Sequence, residues 1–381
     1  MELEIVKFMR EHPDWEALIA EEPYYLKTSW DGNYCLIKYN QLASDFSNKM
    51  VRECRGIIFY AEEDGTMTPV CVPFFKFGNY GEGYADEIDW SSAKVQEKID
   101  GSLIKIWWHQ GWHISTNNTI DASKAVTWVE GISFKDKVAE ALSKVTGIET
   151  FFETLHPDYT YIFELVSPET RVVIPYDETK LYYLGCRNNL TFEENWKRGW
   201  MDCCVEFGMA RPREYNLFSL KDCIAYTQGM SKDEEGFVVV DADWHRVKIK
   251  SPEYLIAHKL RNNNVITLKN VVTMIMNDTV DDFLAYADDY KEFVLSIVNA
   301  YLEAQRKMER AWQTMVAEFN IDNVTKLGFY ENAKKYPIYI CDYLCTKFDK
   351  KTNNPIDFLK YRTRPYIIKM IKCQMNREEE I

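Results

Sequence analysis

The sequence predicts an α+β protein in two parts: strands with intervening helices over residues 1–251, then an all-helical region over residues 252–381. Three observations carry that prediction. Short apolar runs of strand character recur as far as Lys250. Beyond Ser251-Pro252 these signals end, and apolar residues recur at helical spacing instead. With 381 residues, the chain is long enough for two domains that each bury a core of their own.

Residues 2–20 have the pattern of an amphipathic helix broken at Pro13. Tyr34–Tyr39 and Gly56–Tyr60 are aromatic and β-branched enough to be strands, with Arg52-Glu53-Cys54-Arg55-Gly56 between them. Pro73–Tyr80 is an aromatic run holding one cation, Lys76. It is either a pocket wall with one charged contact or a surface lysine whose stem covers apolar area. Leu103–Trp108 is an apolar strand, entered through Glu97-Lys98-Ile99-Asp100-Gly101-Ser102, and Trp112–Ile114 returns as its hairpin partner. Ser115–Thr119 is a polar loop. Residues 122–145 predict a helix that buries Val126, Val129, Phe134, Val138 and Leu142. Tyr161–Val166 is a strand ended by Ser167-Pro168, Arg171–Ile174 begins the next, and Leu181–Leu184 is a further buried strand whose rings could stack on a base. Gly236–Val240 and Arg246–Lys250, joined by a turn at Asp241–Trp244, complete the strands. Helices are predicted around Val271–Met276, Phe283–Phe319, Pro337–Phe348 and Ile356–Ile371, with a frayed tail from Arg377.

Hydrophobic residues at 46% and charged residues at 28% are ordinary for a folded soluble protein. No apolar run reaches the ~18 residues of a membrane span, and Met1-Glu2-Leu3-Glu4 is acidic rather than signal-like. A soluble cytoplasmic protein with no membrane partner is therefore expected, and, separately, a monomer. The ten cysteines show no Cys-x-x-Cys and the six histidines are scattered, so reduced thiols and no zinc site are expected. A net charge of −13 argues on average against a nucleic-acid partner. The distribution is uneven, however: Lys326 to Arg377 carries twelve Lys/Arg against four Asp/Glu, whereas Asp278 to Glu292 carries six acids against one base. A local excess can dock a polyanion, although a solvated helical face has the same composition.

The chemistry centres on Lys98. A lysine attacks the α-phosphate of a nucleoside triphosphate only as a free amine, and an unperturbed lysine titrates near ~10.4. Neighbouring cations lower that value by disfavouring a further positive charge beside them. Lys248 and Lys250, on the face of their strand opposite Val247 and Ile249, could do this and bind phosphate as well. Two such lysines repel unless solvated or sharing an anion, and lysine is also a common edge guard. Asp100 lies two residues on from Lys98, Glu164 stands alone in an apolar strand, and Glu235 is at the mouth of another. These carboxylates could organise magnesium, with a structural salt bridge as the alternative for Glu164. Gly101 lets the backbone pass close to a nucleotide, and Ser102 offers a hydroxyl. Arg55, beside Gly56, could grip phosphate with its planar fork, or be a solvated charge. Asp-Gly alone is a common turn.

Taken in order, these residues resemble the covalent nucleotidyltransferases, and within them the ATP-dependent RNA ligases of the T-even phage tRNA-repair type. Lys98-Ile99-Asp100-Gly101-Ser102 is similar to their nucleophile motif, Phe163-Glu164 to the strand carboxylate motif, and Leu181–Arg187 to the strand lining the adenine pocket. Glu235-Gly236-Phe237-Val238 and Val247-Lys248-Ile249-Lys250 are similar to the last two motifs. Glu53–Ile57, Pro73–Glu82 and Glu164–Arg171 look like segments specific to the phage type. The resemblance covers residues of about 30–255. It departs at Ser115–Thr119, uncharged here where the phage ligase carries lysines, and in the helical region, which agrees in character but little in residues.

The resemblance implies a nucleotidyltransferase (ligase) domain built on antiparallel sheets flanked by helices, over 1–251, and a helical RNA-specificity domain over 252–381. It implies three steps: Lys98 attacks ATP and holds AMP as a phosphoramide, AMP passes to an RNA 5′-phosphate, and an RNA 3′-hydroxyl displaces it. Lys98, Lys248, Lys250, Glu164 and Glu235 would be catalytic. Arg55, Lys76, Lys98, Gly101, Ser102, Tyr183, Lys248 and Lys250 would bind the nucleotide, and Asp100, Glu164 and Glu235 would hold magnesium or manganese. The partner would be RNA, a nicked tRNA being one candidate, in the host-cell cytoplasm for a phage protein. DNA ligases and mRNA guanylyltransferases share the core but usually continue into a β-rich OB domain, and the remainder here reads helical. A silent nucleotide- or RNA-binding protein would be expected to lack the nucleophile or a carboxylate, and none is missing.

Overall fold

In the computed structural model the described residues are 2–41, 43–127, 129–145, 147–195, 207–231, 233–252, 254, 266–277, 280–284, 290–319, 324–352, 354–360 and 362–375. The chain divides into two compact units, Met1–Val265 and Ile266–Ile381. That division falls later than the change of pattern at residue 252, and residues 255–265 lie outside the described ones.

Three antiparallel sheets build the first unit. The first is a meander of β1 (Lys27–Asp31), β2 (Tyr34–Lys38), β3 (Arg55–Ala61) and β4 (Met67–Cys71). One face packs on α1 (Glu4–Glu11), α2 (Trp15–Ala20) and α3 (Lys49–Glu53), through Ile5, Met9, Ile19, Cys35, Ile37, Ile57 and Phe59. Strand alternation sends Leu36 and Ile58 to the other face, where they meet Trp107 of the second sheet. That second sheet has the order β10 (Glu194–Asn195), β9 (Lys180–Asn188), β8 (Tyr159–Val166), β6 (Ser102–Trp108), β7 (Trp112–Thr116). Ile104, Tyr161, Phe163, Leu165 and Leu181 lie under α4 (Phe134–Leu142) and near Phe151 of α5 (Ile148–Thr154). The third sheet orders β11 (Glu214–Tyr215), β5 (Lys94–Glu97), β12 (Gly236–Val240) and β13 (Arg246–Lys250), its core filled by Val95, Phe237, Val239, Val247 and Ile249.

Several expected elements differ: Ser115 and Thr116 belong to β7 rather than to a loop, and in place of a helix over Ile356–Ile371 there are two, Pro355–Lys360 and Arg364–Met375. The helix over 122–145 is confined to α4, because Ser133 and Asp136 form a capping box that starts it there. Val126 and Val129 are consequently 45% and 42% exposed rather than buried. Arg171–Ile174 is not a strand. The backbone N–H groups of Val173 and Ile174, which a neighbouring strand would have taken, both donate to Asp100 Oδ2, at 2.7 and 2.6 Å. Tyr254 Oη donates to Asp100 Oδ1 at 3.0 Å, and the Asp100 N–H donates to Tyr176 Oη at 3.3 Å. β1, β4 and α3 were not anticipated: β1 has mixed composition and is specified by pairing with β2.

The second unit is helical: Leu268–Asn277, Val280–Leu284, Lys291–Glu318, Lys326–Ala333, Ile338–Phe348, Pro355–Lys360 and Arg364–Met375. The long helix buries Val294, Ile297, Ala304, Met308, Ala311 and Met315 along one stripe. Part of the positive excess is paired internally, Lys326 with Asp349 at 2.7 Å and Lys347 with Glu309 at 3.1 Å. The expected tail from Arg377 and the middle of the acidic stretch lie outside the described residues.

Two buried carboxylates of the first unit make predictions. Truncating Asp100→Ala leaves two buried N–H groups and a tyrosine hydroxyl without their acceptor, and should destabilise by about 3–5 kcal/mol in urea titration. Asp100→Asn, which keeps an acceptor oxygen, should cost less. Glu53 is buried and accepts the Ile5 N–H at 3.1 Å, so it anchors the start of α1. Burial lifts its pKa from 4.5 to about 7. The folded state thus binds this proton more tightly than the unfolded chain, and the contribution is present below pH 4.5 and lost as pH rises through about 7. Glu53→Gln should leave stability unchanged at pH 4 and raise it at pH 8, by on the order of 2 kcal/mol; denaturation at the two pH values checks this.

Candidate active site

Lys98 emerges directly after β5, and its N–H donates to the Gly236 carbonyl at 2.9 Å. This register carries its side chain to Glu235 at the entrance of β12: Lys98 Nζ lies 2.7 Å from Glu235 Oε2. Lys250 Nζ lies 3.4 Å from the other oxygen, Oε1. Alternation along β13 puts Val247 and Ile249 in the core and Lys248 and Lys250 on the opposite face. Lys248 is 7% exposed, which excludes a solvated edge guard.

Glu164 sits in β8 opposite Leu103 of β6 and Tyr182 of β9. Burial raises its carboxyl to about 7; Lys98 and Arg55 pull it down, while Glu235 and Asp100 push it up. Those influences bring the nucleophile candidate, three acids and Arg55 into one electrostatic neighbourhood. Gly101 is required by the protein itself: a Cβ there would stand 2.4 Å from the Leu165 carbonyl oxygen and 2.9 Å from Glu164 Cγ. The glycine therefore lets the Lys98 segment lie against β8. Ser102 begins β6 next to it.

The remaining cations meet at Phe77. Arg55, the first residue of β3, holds its guanidinium 5.5 Å from that ring's centre, and Lys248 Nζ lies 5.2 Å from it. The strap 73–80 is tied to β13 by its backbone, with the Lys248 N–H donating to Gly78 O at 3.0 Å and the Tyr80 N–H donating to Lys248 O at 2.8 Å. Lys76 is 5% exposed, with its ammonium 5.3 Å from the Tyr39 ring and 5.0 Å from that of Phe46.

Two further residues of the expected site are buried. Tyr183 belongs to the core beneath α4, 3% exposed and 5.5 Å from Phe163. Its neighbour Tyr182 is the one that shares the Glu164 face. Asp100 has both carboxylate oxygens occupied by protein donors, and burial lifts its pKa to about 6. It fastens the 173–176 segment and Tyr254. Among the described residues, no three His, Cys, Asp or Glu side chains converge to hold a metal ion by themselves. Sequence reasoning did not reach Tyr176 or Tyr254, and it took in Tyr182 and Phe77 only as members of the runs Leu181–Leu184 and Pro73–Tyr80. Period-two counting from Glu164 could have found Tyr182's face only with the pairing register in hand.

The comparisons with known proteins bear on this geometry. The family model described as RNA ligase matches residues 53–254. The chain is 30% identical over 365 residues to a protein of Autographa californica nuclear polyhedrosis virus named as a bifunctional polynucleotide kinase/RNA ligase, covering 91% of this chain and 50% of the relative. The chain thus spans half the length of that relative. It is 24% identical over 375 residues to an RNA ligase of Rhodothermus phage RM378, covering 82% of this chain and 83% of the relative. Among solved structures, an archaeal ATP-dependent RNA ligase aligns with a TM-score of 0.44 and 12% identity, over 76% of this chain and 78% of that one. With a family model matching more than half of its residues and a viral relative at 30% identity across nine-tenths of its length, this chain belongs to the RNA ligase family.

Proposed function

We propose that the protein is an ATP-dependent RNA ligase that joins RNA 5′-phosphate and 3′-hydroxyl ends through a covalent lysyl-AMP and an adenylylated RNA. The observation that carries this reading is the half-buried Lys98 ammonium held 2.7 Å from buried Glu235, with Lys250 on the same carboxylate and Glu164 alongside. Membership of the RNA ligase family supports it.

In this reading the Lys98 amine attacks the α-phosphorus of ATP, forming an N–P bond as the bond to pyrophosphate breaks. Glu235 is the acceptor within reach for the proton that Lys98 must lose first. Lys250, Lys248 and Arg55 offset negative charge on the phosphates, and Tyr182 offers a ring face to the base. The RNA 5′-phosphate oxygen then displaces Lys98 from the phosphorus, and the RNA 3′-hydroxyl finally displaces AMP.

Magnesium or manganese fits this donor set. Glu164 and Glu235 are oxygen ligands of the kind hard cations take, and a cation there would relieve the like-charge repulsion that Glu164 meets from Glu235 and Asp100. One or two carboxylates with phosphate and water oxygens are a usual shell for magnesium. When bound, such an ion supplies charge stabilisation at the phosphoryl group.

The helical unit and its uneven positive charge suit an RNA-specificity role, with a nicked tRNA among the candidate substrates, for a monomer acting in the cytoplasm. Incubation with α-labelled ATP and magnesium, then denaturing electrophoresis, tests the first step. Wild-type protein should carry label from ATP and not GTP, and Lys98→Ala and Lys98→Arg should carry none. Label persisting on Lys98→Ala would sink the assignment. Glu235→Gln, which keeps shape but removes the acceptor's charge, should slow label transfer by about a hundredfold or more.

A further inference from the structure

Lys105 is a buried charge that the chemistry above does not use. It lies in the middle of β6, opposite Ser115 of β7 and Ile162 of β8, and is 0% exposed. Alternation along β6 puts Leu103, Lys105 and Trp107 on one face. Leu103 packs there with Phe74 and Ile162, and Trp107 with Leu36 and Ile58 of the first sheet. An ammonium between two apolar clusters is costly unless a partner holds it. Lys105 Nζ donates to the carbonyl of Gly56 in β3 of the facing sheet. Burial lowers the Lys105 pKa to about 8, and nearby Arg55 and Lys38 push it the same way.

Gly56 is left out of the pairing between β2 and β3. Ile57 faces Ile37 and Arg55 faces Lys38, so Gly56 forms a β-bulge between them. A bulge bends its strand and re-aims the side chain beside it. Three features fix this one. Gly56 has φ +76°, a conformation that favours glycine. Its α-carbon lies so close to the segment after β7 that a Cβ would stand 2.5 Å from the Asn117 carbonyl oxygen. Its own carbonyl is held by Lys105 from the second sheet. The side chain that the bulge directs is that of Arg55, whose guanidinium lies 5.5 Å from the centre of the Phe77 ring and within electrostatic reach of Glu164.

We infer that Lys105 is a positioning residue for the reaction: it holds the Gly56 bulge from the facing sheet and so fixes the direction in which Arg55 leaves β3. A methionine would fill the same apolar space without the cost of a buried charge, and would leave the Gly56 carbonyl without this donor. The place of Arg55 beside the outer phosphates of the nucleotide rests on the ligase reading. The coupling of Lys105 to Arg55 rests on the bulge.

The test is a double-variant cycle with Lys105→Met and Arg55→Gln, singly and together, and with Lys105→Leu as a second apolar variant. Calorimetric binding of inorganic pyrophosphate and of AMP is measured beside thermal melting and the ATP dependence of lysyl-AMP formation. Lys105→Met should weaken pyrophosphate binding and raise the KM for ATP by roughly tenfold, while AMP binding stays within about twofold. In the Arg55→Gln background the same substitution should change pyrophosphate binding by less than about twofold, because the group it positions is gone. Unchanged pyrophosphate binding in a folded Lys105→Met or Lys105→Leu protein overturns the assignment. So does an equal loss for AMP and pyrophosphate, or losses that multiply in the double variant, since each marks a general structural role. A wild type that binds no pyrophosphate overturns it as well. A wild type that forms no lysyl-AMP yet shows the coupled loss keeps the positioning role and overturns the ligase reading instead.

Discussion

Glu235 is a carboxylate almost removed from water, and two ammonium groups from different segments reach it, Lys98 at 2.7 Å and Lys250 at 3.4 Å. An unpaired charge at this depth would be too costly to keep, so the fold must bring these segments together. That constraint sets the register of the third sheet. Lys98 follows β5, Glu235 precedes β12, Lys250 closes β13, and the three strands are hydrogen-bonded neighbours. The apolar residues between them, Val95, Phe237, Val239, Val247 and Ile249, make the core that holds the strands in place. Packing thus pre-positions the charged cluster without large motions of long side chains, which is what chemistry at a phosphoryl centre needs.

The second sheet meets this cluster through a short covalent bridge. Only Lys98 to Gly101 separates β5 from β6, so the nucleophile candidate sits where the chain passes from one sheet to another. Gly101 permits the close approach to β8, and Asp100 fastens the passage by accepting from Val173, Ile174 and Tyr254. A motif that reads as chemistry is therefore also a structural joint. One carboxylate of the motif serves the joint and its neighbouring lysine serves the site, and the two roles are separated by which way each side chain leaves an irregular stretch of backbone.

Charge elsewhere follows the same economy. Glu194 is buried between Arg246, at 2.9 Å, and Arg187, at 3.8 Å, tying β10 of the second sheet to β13 of the third. The guanidinium groups stack on Phe74 and Phe75, 4.1 and 3.7 Å from the ring centres. The aromatic strap 73–80 is thus clamped by cations on both sides, and its Phe77 reaches Arg55 and Lys248. Pairing within the interior, rather than net charge, decides where this acidic protein can present positive charge.

The strand-rich and helical halves, the strands that carry Arg55, Glu164, Lys248 and Lys250, the strand that Glu235 leads into, and the order of those residues were legible in the sequence, because strand alternation and helical spacing are local. Membership of the RNA ligase family was legible for the same reason: the motifs are short and ordered along the chain. What only the tertiary structure decided concerns neighbours distant in sequence. Tyr183 and Tyr182 are adjacent, and only the pairing of β8 with β9 says which shares the face of Glu164. Arg171–Ile174 has strand composition but gives its N–H groups to Asp100, 73 and 74 residues away. Lys38 and Arg55 became a facing pair only when β2 met β3. Sequence specifies faces and residue types, while the partner of each buried charge and each backbone group depends on register and sheet packing, which no local pattern encodes.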